Sequence, residues 1–269
     1  MCVIANVRAA DTNIWRLVWS DEFDKDGRPN PANWVYEKGF VRNNEAQYYT
    51  EDRAENARVE NGMLVIEGRK EVYPAPDDAL PRDKGKTAQY TSASLTTNGK
   101  FEQCYGRVEI RAKLPAGRGV WPGIWMMGVN RSQVSWPRCG EIDILEMVGH
   151  EPDSIHANCH WFSAAKNGHT STGGVLRGQK PSDDFHIYAI EWDEKTIKFF
   201  YDDINYFTYN LALADNGDDN AYRKPHYLLM SFAIGGNWGG QHGIDESIWP
   251  QKLLIDFVRV YKKNTELKE

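Results

Sequence analysis

Residues 106–115, GRVEIRAKLP, alternate in character from one position to the next: Val108, Ile110, Ala112 and Leu114 are apolar, and Arg107, Glu109, Arg111 and Lys113 are charged. A period of two puts the first set on one face of a β-strand and the second on the other. MLVIEGRK follows an Asn61-Gly62 turn pair, and FHIYAIEWDEKTIKFFYDD reads as a hairpin joined at Asp193-Glu194-Lys195-Thr196. HYLLMSFAIGG and KLLIDFVRVYKK add two more β-rich runs, while helix candidates are short, such as NLALAD at 210–215. VYPAPDDALPRDKGK (72–86) carries three prolines between strand-like flanks and reads as an insertion, not a domain boundary. Many strands with little helix predict an all-β fold, a β-sandwich or jelly roll, in one domain over 1–269.

One stretch breaks the alternation. GEIDILEMVGH (140–150) has strand-like apolar residues between three acids, Glu141, Asp143 and Glu146. On a regular strand Glu141 and Asp143 share a face and Glu146 points to the other, where a sandwich core would bury an unpaired carboxylate at high cost. A β-bulge near Leu145 restores the parity and brings all three acids to one side. Two carboxyls on one rigid surface are the equipment for acetal hydrolysis: one protonates the leaving oxygen, the other attacks the anomeric carbon or activates water. The third negative charge raises the pKa of whichever group keeps its proton.

Composition narrows the partner. Hydrophobic residues make up 41% of 269, enough for a substantial core, and the net charge of −6 argues against nucleic acid. Ten tryptophans and thirteen tyrosines fit a groove that stacks ring-shaped ligands as well as they fit a core. No run of 18 apolar residues exists to span a membrane, and MCVIANVRAADTNIW is too short and polar to be a signal peptide. Cys2, Cys104, Cys139 and Cys159 show no zinc-ligand spacing and are read as free, mostly buried thiols.

Around the acids stand GVWPGIWMMG (119–128), with Trp121 and Trp125 read as bracketing a Pro-Gly turn, HANCHW (156–161) and GGNWGG (235–240). With EIDILE matching the signature E-[ILV]-D-[ILV]-x-E, and with NNEAQYYT (43–50) upstream, the chain resembles glycoside hydrolase family 16 from about Leu17 to Tyr261. Within that family it is most similar to the endo-β-1,3-glucanases, or laminarinases. The resemblance implies two curved antiparallel sheets with a concave substrate cleft, a retaining mechanism, Glu141 as nucleophile, Glu146 as general acid/base and Asp143 tuning both. It further implies sugar contacts from Asn44, Trp121, Trp125, His160, Asn237 and Trp238. Arg111, on the polar face of its strand, is placed in the cleft as well, with Arg118, Trp136 and Gln241 as weaker candidates.

Many family members hold a structural calcium on the convex side. The matching ligands here are the backbone oxygens of Glu22 and Gly62 and the side chain of Asp256, an acid whose place in an apolar strand suggests a buried role. No cofactor is expected for catalysis. The implied partner is β-glucan, bound by a monomer that is secreted, periplasmic or on the cell surface. SAAKNGHTSTGGVLRGQK (163–180) reads as a mobile loop at the cleft edge. Mixed β-1,3/1,4-glucan is the alternative substrate. A non-catalytic glucan-binding protein is disfavoured by the presence of all three acids.

Overall fold

A computed structural model describes residues 14–264. Cys2 and all but Ile14 and Trp15 of the segment read for an export signal lie outside the described residues, and among those described no helix is long and apolar enough to cross a membrane.

Two sheets form the molecule. The inner, seven-stranded sheet runs in the spatial order Gly168–Arg177, Ser154–Ser163, Glu141–Glu146, Val120–Gly128, His226–Ile234, Ser94–Thr96, Val35–Tyr36, antiparallel throughout. The outer sheet has ten strands, among them Gly106–Lys113, Gln251–Lys263, Met63–Pro74 and the hairpin His186–Trp192 with Thr196–Tyr201. The Asn61-Gly62 turn forms as its sequence demands: both residues have positive φ (55° and 72°) and Glu60 pairs with Met63 across it. NLALAD contributes only a 3-10 turn over Leu211–Ala214.

Alternation explains how the sheets stack. Val108, Ile110 and Ala112 of the outer sheet share one buried cluster with Ile124, Met126 and Ile142 of the inner sheet. Along Val120–Gly128 the partners of those core residues, Trp121, Gly123, Trp125 and Met127, therefore face away from the core. Pro122-Gly123 makes no turn. It runs straight through this strand, and the Pro122 carbonyl accepts a hydrogen bond from the Met147 amide where pairing with Glu141–Glu146 ends.

The segment 163–180 also differs from its reading as a mobile loop. Gly168–Arg177 is the edge strand of the inner sheet, paired to Ser154–Ser163 over ten residues. Its glycines reflect packing: a Cβ on Gly174 would lie 2.6 Å from Phe207 Cβ, and one on Gly173 2.4 Å from the Ala157 carbonyl oxygen. Described cysteines are free, with Cys139 and Cys159 buried and Cys104 half-buried.

Candidate active site

The register of Glu141–Glu146 settles the phase problem. Asp143 pairs with Trp125 and Leu145 with Ile124, so two steps on the acid strand match one on its neighbour. On the other side Asp143 pairs with Asn158 and Glu146 with His156, three steps against two. This is a β-bulge, with Ile144 and Leu145 both buried in the core between the sheets. Burying two such side chains stabilises the irregularity by about 1.5–3 kcal/mol each. Glu141, Asp143 and Glu146 consequently emerge together on the concave face.

Two contiguous depressions meet at these acids. One, with a cavity volume near 270 Å³, is walled by Arg42, Trp125, Arg131 and Ser231; the other, near 600 Å³, by His156, His160, Gly174 and Trp238. Asn43, Trp121, Trp136, Glu141 and Glu146 belong to both. The Trp121 indole N–H donates to Glu146 Oε1 at 3.0 Å, and Trp121 and Trp238 meet edge to face at 5.6 Å. Trp238 sits in the short turn Gly236–Gly239, where a Cβ on Gly239 would come within 2.8 Å of Trp121 Cβ. His160 Nε2 is 3.1 Å from Asp143 Oδ2, an ion-pair distance outside hydrogen-bond angle, and His160 Nδ1 is 2.8 Å from His169 Nε2.

Burial makes three ionised carboxylates untenable here. Burial and the Asp143 charge push Glu141 up to about 8, against the pull of His160, Arg42 and Trp136. Asp143 is raised by burial, with a hydrogen bond to Glu141 opposing. Glu146 is raised well above the ordinary carboxylate range by burial and by Asp143, with the Trp121 hydrogen bond opposing. Arg42 lies 4.9 Å over the Trp125 ring and pairs with Glu37. Negative charge is thus best tolerated on the Glu141–Asp143 side, and Glu146 keeps a proton.

A family model for glycosyl hydrolases family 16 matches residues 44–258. The chain belongs to glycoside hydrolase family 16. It is 45% identical to a β-glucanase of Rhodothermus marinus over 92% of this chain and 85% of that protein. It is 35% identical to glucan endo-1,3-β-glucosidase A1 of Niallia circulans over 92% of its length, and spans 38% of that larger protein. The X-ray structure of the Rhodothermus marinus laminarinase superposes with a TM-score of 0.81 at 43% identity, covering 93% of this chain and 98% of that one. A non-specific endo-β-1,3(4)-glucanase of family 16, crystallised with 1,3-β-D-cellotriosyl-glucose, gives 0.83 at 39% identity, covering 93% and 95%. These matches make the protein a glycoside hydrolase with the family 16 jelly roll.

Not every residue expected in the cleft is there. Arg111 belongs to the outer sheet; its side chain projects from the convex face, pairs with Asp256 at 2.7 Å and lies over Phe185. Charge on a strand shows only which face is wet, and both sheets have a wet face. Asn44 is exposed and donates to Asn237 Oδ1 at 2.9 Å; its neighbour Asn43 lines the cleft instead. Arg118 and Gln241 line neither depression, whereas Trp136 lines both. Arg42, Asn43, Arg131 and Ser231 were missed. Asn43 lies beside Asn44 in the NNEAQ block and Arg42 just precedes that block, and Ser231 was signalled by small residues alternating in SFAIGG.

The calcium ligands require a similar correction. Gln251–Lys263 changes partner at Asp256, from Leu64 opposite Ile255 to Asp21 opposite Val258. The Asp256 side chain is not buried there. It sits at a bulge, about a third exposed, and its carboxylate is engaged by Arg111. As arranged, the set does not fit calcium, because the one anionic ligand is already neutralised.

Proposed function

We propose that this family 16 hydrolase is an endo-acting, retaining enzyme that cleaves internal β-1,3-glucosidic bonds of β-glucans such as laminarin. The observation carrying the reading is the bulge that sets Glu141, Asp143 and Glu146 side by side at the junction of two depressions. A trough extending to both sides of the acids accepts a chain in its middle, and Trp121 and Trp238 offer apolar faces to pyranose rings.

In this mechanism Glu141 attacks the anomeric carbon while Glu146 protonates the departing glycosidic oxygen. Because Glu146 Oε1 accepts the Trp121 N–H, the proton resides on Oε2. Glycosylation removes the charge of Glu141. Glu146 then ionises more readily, takes a proton from water and directs hydroxide to the glycosyl-enzyme. Asp143, beside His160, supplies the local charge that holds the proton on Glu146 in the first step.

Incubation with laminarin, lichenan and agarose tests the reading. Internal cleavage of laminarin with β-configured first products supports it; an α-anomer or no hydrolysis overturns it. Mixed β-1,3/1,4-glucan is the second reading, supported by the likeness to the non-specific β-1,3(4)-glucanase. We place the enzyme, as a monomer, outside the cytoplasm, where its polymer is found.

A further inference from the structure

Glu141, Asp143 and His160 present three donor atoms that lie within 4.8 Å of one another. Two carboxylate oxygens and one imidazole nitrogen are a donor set suited to a borderline transition-metal ion, and not to magnesium or calcium alone. We propose that these side chains form an inhibitory site for a metal ion of the zinc class, and that such an ion arrests the enzyme by occupying its nucleophile.

Two further observations point the same way. Asp143 is 3% exposed, and its Oδ2 atom, aimed at His160, has no hydrogen-bond partner among the described residues. An imidazole that ligates a metal also needs its other ring nitrogen oriented, usually by a hydrogen-bond acceptor behind it. His169, from the edge strand, supplies this: its Nε2 is 2.8 Å from His160 Nδ1, and its ring packs 4.7 Å from that of Trp136. With the proton of His160 on Nδ1, donated to His169, the Nε2 lone pair is free toward the carboxylates. Tetrahedral ligands about 2.0–2.1 Å from zinc stand roughly 3.3 Å apart. His160 Nε2 and Asp143 Oδ2 are already at 3.1 Å. The fourth position opens into the cleft for water. Arg42, the nearby cation, is compensated by Glu37.

The site rests on geometry and not on the substrate assignment, so it is tested without glucan. Zinc chloride is titrated calorimetrically into the full chain in a non-chelating buffer. One ion per chain is expected. Glu141→Gln and His160→Ala should each weaken binding at least ~100-fold, and His169→Ala by about 10-fold, the loss typical of an outer partner. His156→Ala, which alters another histidine lining the cleft, and His242→Ala, which alters an exposed histidine packed on His150, should leave it unchanged. Glu141→Gln keeps the side-chain shape, and zinc should raise the melting temperature of the parent but not of this variant. No binding, binding indifferent to His160 and Glu141, or binding that follows His156 or His242 overturns the proposal.

Discussion

The concave and convex faces carry acids under opposite conditions. On the convex sheet arginines answer several of them: Asp256 by Arg111 at 2.7 Å, Glu22 by Arg259 at 2.7 Å, Glu191 by Arg107 at 2.9 Å. These pairs are partly open to water. On the concave face Glu141, Asp143 and Glu146 are gathered with, among the described residues, only a histidine at ion-pair distance, and burial raises all three. Arg259 holds the Glu22 carboxyl below the ordinary carboxylate range, whereas burial leaves the concave acids poised between two protonation states. Pairing and burial, and not residue type, separate a structural carboxylate from a chemical one.

The largest effect that would break this contrast is loss of turnover. Glu141→Gln and Glu146→Gln should each lower kcat on laminarin by at least ~10²–10⁴-fold with the fold intact, measured by reducing-sugar release and circular dichroism. Near-parental turnover in either variant would remove the acid from its assigned step.

Stability should move the other way. A carboxyl whose folded pKa is raised keeps its proton while the unfolded chain, with an ordinary value of 4.5, has released it. Its cost to folding is absent below about pH 4.5 and grows as pH rises above it. Glu146→Gln should therefore melt at the same temperature as the parent near pH 4 and above it at pH 8, by about 2–4 °C per kcal/mol relieved. Equal melting at both pH values would mean that Glu146 is not destabilised by its burial.

A smaller shift sharpens the role of Trp121. Trp121→Phe removes the N–H that lowers the Glu146 pKa. The alkaline limb of the kcat profile should move to higher pH, which an unchanged profile would refute. Smallest of all, Arg111→Ala should leave laminarin turnover unchanged and cost about 0–1 kcal/mol by denaturant melting, since the Asp256 pair is half in water.

Much of this was legible in the chain. The strict alternation of Val108, Ile110 and Ala112 identified core positions, and three acids out of phase required a bulge where Ile144 and Leu145 now lie. What remained hidden was which sheet a strand joins. Arg111 sits on a strand with a clear two-residue period and Trp125 on one, VWPGIWMMG, with no polar alternation, yet Arg111 projects from the convex face and Trp125 lines the cleft. Strand order depends on long-range pairing that local sequence does not encode. Gly173 and Gly174 misled for a related reason: they suggest looseness, but their missing side chains admit Ala157 and Phe207.

The bulge has a last consequence for how such a chain can change. A substitution at Glu146 removes one group and leaves the other two acids in place. Deleting the single residue Ile144 would leave Glu-Ile-Asp-Leu-Glu, a regular strand in which alternation alone sets all three acids on the cleft face and keeps the leucine in the core. The extra residue is therefore one that the facing of the acids can spare, and a three-nucleotide loss at that spot disturbs the side they share less than a point mutation of Glu146 disturbs the chemistry.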